Sequence, residues 1–276
     1  SLIFGFIGFT NNSQNEKSGI TPFEAFTIPR KSTQLNAENM LAIAHTIFKD
    51  SVITEQDGAY HIVGDDKVGF SAVDNSPIRE KKVNIDTVDL DVDGDGNEEI
   101  VALSVVRFLG LACTSCMTDL YVTLLSFKDG TYYIQGEKQY TGHDGSLFVS
   151  DLAITDLRLF DVNADGRMEI LIRYYADDYL DPKKTKAAIL QWQVDQFKVI
   201  WQAVSHLNMD TNGRIPEKNK INFDATFSFA KTDGEYPRIV ADREISKRNG
   251  TSLEPPIHER LTYAWDEETK SYLLVK

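Results

Sequence analysis

The chain has 276 residues, 42% of them hydrophobic and 11% aromatic, which is long enough for a sizeable core in one large or two ordinary domains. Its formal charge of -13, without any Lys/Arg cluster, excludes a basic face for nucleic acid or for an anionic membrane. An acidic balance of this kind favours divalent cations instead.

Residues 1–9, SLIFGFIGF, are apolar but too short to cross a bilayer, so no membrane span is expected. Three readings of this segment stay open: the remnant of a signal peptide, a strand paired within the fold, or a strand donated to a neighbouring copy. In the third reading, self-association runs through residues 1–12. Residues 10–35 carry Gly19, Pro22 and Pro29 among polar residues with no clear period. Residues 1–35 together therefore read as an extended N-terminal arm.

The next stretch, NAENMLAIAHTIFKD, places Asn36 as an N-cap ahead of Met40, Leu41, Ala44, Ile47 and Phe48 at helical spacing. A helix is predicted over 36–50, with His45 inside it in a structural role. From residue 52 the pattern changes to short β-prone runs separated by Gly, Asp and Asn: AYHIVG, KVNIDTVDL, EIVALSVVRF, YVTLLSF, TYYIQGEKQY. The expected fold is mainly β, built of antiparallel sheets with one N-terminal helix.

The only two cysteines, Cys113 and Cys116, form a lone CxxC. No second CxxC completes a zinc site, no helix start suggests thioredoxin-like chemistry, and Met117 stands where a haem-attachment motif needs His. A disulfide tying off a loop is expected, and it implies an oxidising compartment.

Internal repetition is the informative signal. DLDVDGDGNEEIVA puts Asp91, Asp93 and Asp95 on alternate positions, followed by Asn97 and Glu99; 70 residues later, FDVNADGRMEILI repeats the pattern with Asp161, Asn163, Asp165, Arg167 and Glu169. Carboxylates this close repel one another and would drive one to protonate unless a cation sits among them. Calcium takes six to eight oxygens, and alternating side chains around a Gly bend converge on one point. Loop one would supply the carboxylates of Asp91, Asp93, Asp95 and Glu99 and the carbonyl of Asn97. Loop two would supply Asp161, Asn163, Asp165, Glu169 and the carbonyl of Arg167. Two calcium sites are expected, the first tighter because it has one more carboxylate. Glu98 and Met168 should point away from the ions. An EF-hand needs Glu at position twelve and flanking helices, whereas Ala102 and Ile172 stand there between β-prone runs.

Each unit continues into a hairpin with an aromatic on it: LLSFKDGTYYIQ, ILQWQVDQFKVIW and LTYAWDEETKSYLLV. Three related units are predicted, at about 86–155, 156–222 and 223–276. In the third, FSFAKTDGEYPRIVA keeps Asp233 and Gly234 but has Phe229, Lys231 and Pro237 at the other ligand places, and is expected to hold no ion. VITEQDGAYHIVG reads as a further, divergent hairpin next to the helix.

Both loops, each between β-prone runs, resemble the calcium loops of FG-GAP/VCBS repeats, which build the β-propeller heads of integrin α chains and many secreted bacterial proteins. The likeness covers residues 86–103 and 156–173 most closely and weakens through the hairpins to 276. It implies a β-propeller-like domain over 36–276, with three or four blades in a small or incomplete ring and structural calcium. The longer repeat implies inserted loops, such as the Cys loop.

No GxSxG, HExxH or P-loop is present, and the strongest carboxylate clusters are already assigned to metal, so the chain reads as a non-enzyme. His45, His61, His143, His206 and His258 lie scattered without ligand spacing, and His143 beside Asp144 reads as a turn. Trp192 and Trp265 recur at matching hairpin places, which favours core roles over sugar stacking. Asp177, Asp178 and Asp181 among tyrosines are a candidate polar binding surface, or else a solvated loop. The expected function is a secreted or cell-surface, conceivably periplasmic, calcium-binding scaffold or adhesion module for a protein or glycan. The alternatives are a filament subunit that exchanges its N-terminal strand, and a metal-assisted hydrolase or lyase.

Overall fold

A computed structural model describes residues 20–23, 35–64, 67, 69–70, 77–94, 96, 99–109, 118–140, 151–163, 165–177, 183–209, 216, 219–233, 236–249 and 252–275. In chain order the elements are β1 (Ile20–Pro22), α1 (Ala37–Ile47), β2 (Ser51–Gln56), β3 (Ala59–Gly64), β4 (Gly69–Phe70), β5 (Pro77–Ile78), β6 (Glu80–Leu90), β7 (Glu99–Phe108), β8 (Thr118–Lys128), β9 (Thr131–Tyr140), β10 (Asp151–Phe160), β11 (Glu169–Asp177), β12 (Lys183–Gln193), β13 (Gln196–Asn208), β14 (Ile221–Ala230), β15 (Arg238–Asn249), β16 (Ser252–Leu253), β17 (Ile257–Asp266) and β18 (Ser271–Val275). The protein is mainly β, its sheets antiparallel, with one helix among the described residues. The disulfide expected between Cys113 and Cys116, and the arm of residues 1–12, lie outside the described residues.

The helix begins where the sequence places it. The Asn36 side chain accepts a 2.8 Å hydrogen bond from Asn39 N, and the Phe48 N–H closes the last turn on Ala44 O. Its buried face differs by one position from the expected one. Ile43, Ala44, Ile47 and Phe48 are buried, whereas Leu41, expected inside, is 37% exposed. The stripe follows the 3.6-residue period around Ile43, Ile47 and Ala44, and Leu41 falls on its edge.

Three four-stranded meanders follow one another: β6-β7-β8-β9, β10-β11-β12-β13, and β14-β15-β17-β18. The β2-β3 hairpin extends the first through β3–β6 pairing. All the predicted hairpins form, with β2–β3 and β8–β9 closed by the Asp-Gly pairs Asp57-Gly58 and Asp129-Gly130, all at positive φ. Two central residues at positive φ give the turn whose twist matches that of the flanking strands.

The meanders stack face against face. One core joins Val88, Leu90, Val101, Leu103, Leu120 and Val122 of the first meander to Ile170, Ile172, Tyr174, Ala188 and Leu190 of the second. A second core takes the alternate residues of those same middle strands, Leu171, Ala187 and Ile189, and packs them against Phe227, Phe229, Ile239 and Ala241 of the third. The other face of the first meander is covered by α1, through Ile43, Ile47 and Phe48 against Val83, Ala102, Val106 and Tyr121.

Strands β13 and β14 pair only through residues 206–208 and 222–224, and the far end of β14 pairs with β1 instead. Phe23, just after β1, fills the wedge. It stacks on Phe229 at 4.3 Å and meets Phe160 and Trp201 edge-on at 5.5 and 5.8 Å. Phe229, read from the sequence as a residue of the third loop, is therefore a strand residue, 2% exposed in this core. The aromatic alternation Phe223, Phe227, Phe229 belongs to a strand that reaches further than the Asp-Gly signal suggested. Trp192 packs against the first core and Trp265 against the second, as expected from their matching places.

Gly136 on β9 lies tight against the turn between β12 and β13. A Cβ there would come within 2.5 Å of Trp192 Cη2 and 2.6 Å of the Asp195 carbonyl oxygen, and a backbone atom cannot swing aside. Gly136→Ala should therefore destabilise the protein by about 1–3 kcal/mol in urea unfolding, the usual cost of overpacking. A variant as stable as the parent would contradict this packing.

Candidate metal centre

The two acidic loops sit at the same place in consecutive meanders, between the first and second strands. Each is an eight-residue connection closed by a strand pair, Leu90 with Glu99 and Phe160 with Glu169. Their backbones share two equivalent side-chain contacts and a third that differs by one position. The first Asp accepts from the Gly N–H five residues on, Gly96 to Asp91 Oδ2 at 2.9 Å and Gly166 to Asp161 Oδ2 at 3.2 Å. Its other oxygen accepts a second loop N–H, from Gly94 at 2.8 Å in loop one and from Asp165 at 3.1 Å in loop two. The Glu reaches back to the residue after that Asp, with Val92 N donating to Glu99 Oε2 at 3.2 Å and Val162 N to Glu169 Oε2 at 2.8 Å. Gly96 and Gly166 have φ of 87° and 86°, a conformation that favours glycine and lets the chain curl around its own carboxylates.

In loop one, ligand atoms of Asp91, Asp93 and Glu99 lie within 4.8 Å of one another. Asp95 and Asn97 lie outside the described residues. In loop two, Asp165 accepts from Arg167 N at 2.8 Å and from Asn163 Nδ2 at 3.0 Å, so its carboxylate is turned into the loop. Glu169 is fully buried, accepting also from Gln191 Nε2 at 2.7 Å. Burial pushes its carboxyl up to about 7; the hydrogen bonds from Val162 and Gln191 pull it down, and nearby Asp165 and Asp161 push it up again. Met168 packs against the first core, away from the loop interior, as its place between two ligand positions predicts.

The loops also touch one another. Met168 N donates to Asp91 O at 3.2 Å, and the Arg167 side chain lies over Gly94, where a Cβ would be 3.3 Å from its Cγ. Sequence spacing of 70 gives no sign of this contact, which arises because the first two meanders are stacked.

The third connection, 231–237, is one residue shorter and closes with Ala230 opposite Arg238. Lys231 takes the place of Asp91 and Asp161, and Arg238 that of Glu99 and Glu169. The loop is held by Thr232 Oγ1 donating to Tyr236 O at 2.9 Å. Two carboxylate places have thus become cationic.

Of the other sequence candidates, Asp177 ends β11 opposite Asp151, while Asp178 and Asp181 lie outside the described residues. Among the described residues no helix is long and apolar enough to cross a membrane. Sequence spacing left the histidines scattered; sheet register brings His206, on the last strand of the second meander, and His258, in the third, onto one face of the sheet that β13 and β14 join.

The Glu clip has a measurable role of its own. Glu169→Ala leaves the Val162 N–H and the Gln191 amide without their buried acceptor and should cost about 2 kcal/mol or more in EGTA. Chemical unfolding of the metal-stripped protein measures this, and an unchanged midpoint would mean that the clip does not hold the loop. No family model matches this chain, and neither does any curated protein or solved structure.

Proposed function

We propose that this protein is a calcium-stabilised repeat protein of the FG-GAP/VCBS kind, an open propeller-like stack of three blades that acts as a secreted or surface-exposed, non-enzymatic scaffold for a protein or glycan. The observation that carries this reading is the common framework of two acidic loops at equivalent places in successive meanders. Two unrelated Asp-Gly turns would have no reason to share the Asp-to-Gly and Glu-to-Val hydrogen bonds.

The donor set fits a hard cation. Asp91, Asp93, Asp95, Asn97 and Glu99 would hold one ion, and Asp161, Asn163, Asp165, Arg167 and Glu169 the other, all through oxygen. When bound, calcium neutralises these oxygens and ties the first two strands of a blade together. The chain's own part is to hold the loops open by backbone hydrogen bonds and to bury Glu169 where a counter-charge is favoured. Lys231 and Arg238 would keep an ion out of the third loop. The reading as secreted draws on the family likeness and on the CxxC pair.

Calorimetry in millimolar calcium should find two equivalents, the tighter lost in Asp91→Asn and the weaker in Asp161→Asn. At a hundred times its dissociation constant each ion adds about 2.7 kcal/mol, so EGTA should lower Tm clearly. An unchanged Tm together with an absence of binding heat would overturn the proposal. Pull-downs on glycan and protein arrays with and without calcium then separate an ion that only supports the fold from one that governs recognition.

A further inference from the structure

Strand β18 ends the strand order of its sheet, so among the described residues no strand pairs with its outer edge. Such an edge offers a row of backbone N–H and C=O groups, and proteins ordinarily guard it with a charge, a proline or a bulge. The strands that end the order elsewhere in the two large sheets, β2, β9 and β10, carry Glu55, Lys138 and Arg158. The sequence of β18, SYLLV, holds neither charge nor proline and pairs with β17 in unbroken register. Leu273, Leu274 and Val275 are 46, 50 and 46% exposed. Successive residues of a strand point to opposite faces, so Leu273 and Val275 stand on one side and Leu274 on the other, beside the buried Tyr272. A partner laid on one face would leave the other bare, whereas a strand set against the edge covers both.

The chain holds a segment of matching character. Residues 1–19, ahead of β1, lie outside the described residues. The first nine, SLIFGFIGF, carry no charge and no proline, and as a strand they would put Leu2, Phe4 and Phe6 on one face and Ile3, Ile7 and Phe9 on the other. Where this arm enters the sheet sets its reach. Thr21 of β1 lies opposite Phe229, Phe229 opposite Ile239, Ile239 opposite Tyr263, and Tyr263 opposite Leu274. β1 and β18 are therefore level, and four strand spacings put them roughly 19 Å apart. The polar link TNNSQNEKSG, residues 10–19, spans up to about 33–36 Å when extended. Every pairing on this path is antiparallel, so β18 runs in the same direction as β1. A strand added antiparallel to β18 would thus finish at the end of the sheet where Ile20 begins, with the link passing through water around that end.

We propose that residues 1–9 add to β18 of their own chain as an antiparallel strand and close its open edge. Pairing within one chain is favoured over exchange with a second copy because the link is longer than the gap, and a short flexible tether holds its end at an effective concentration on the order of millimolar. The pairing neither needs nor excludes an ion in the acidic loops, so it stands or falls apart from them.

Amide hydrogen exchange read by mass spectrometry, on the full chain at a dilution where light scattering shows a monomer, tests this. Residues 2–8 should exchange about tenfold or more slower than an unstructured chain of that sequence. Leu273→Lys combined with Leu274→Lys puts a charge on each face of the edge and should abolish this protection. Val52→Lys, at an exposed apolar place on the β2 edge, should leave it unchanged. Deleting residues 1–9 should speed exchange across 271–275. Free exchange of residues 2–8 in the monomer, protection that survives the paired lysines, or exchange at 271–275 indifferent to the deletion would each overturn the proposal. Protection found only in dimers or larger species would overturn it too, in favour of a strand exchanged between copies.

Discussion

The structure depends on burying the middle meander on both of its faces. A sheet that packs on one side needs apolar residues only at alternate positions, but β11 and β12 present Ile170, Leu171 and Ile172, and Ala187 through Leu190, as unbroken buried runs. Odd and even residues of the same strands feed different cores, so neither outer meander can be removed without exposing a full face. The stack is closed at one end by α1 and at the other by a polar sheet face.

Stacking also decides how the acidic loops stand to one another. Packed sheets lie roughly 10 Å apart, which brings equivalent loops of adjacent meanders within reach. The hydrogen bond from Met168 N to Asp91 O, and the Arg167 side chain over Gly94, are the outcome. The Arg167 side chain of one loop is thereby set against the Gly94 backbone of the other. The third connection carries Lys231 and Arg238 at two of the corresponding places and is one residue shorter, so both charge and backbone path separate it from its two predecessors.

The third meander presents two unlike faces. Its inner face is aromatic, with Tyr236 stacked on Trp265 at 3.9 Å, while its outer face carries an imidazole, carboxylates and a paired arginine. Propeller blades in a closed ring bury both faces.

Local features were legible in the sequence because they are set by neighbours along the chain. The Asn36 cap, the Asp-Gly hairpins and the Gly bends at 96 and 166 all depend on residues within about one turn of each other. The sequence by itself therefore determined a mainly β chain with one capped helix and two equivalent acidic loops. Only the tertiary structure decided that Leu41 faces water while Ile43 is buried, that Phe229 belongs to a core strand, and that Arg238 stands where Glu99 and Glu169 stand in the first two meanders. Strand register and face-to-face packing join residues distant along the chain, and a one-residue slip in either sends a side chain to the opposite face.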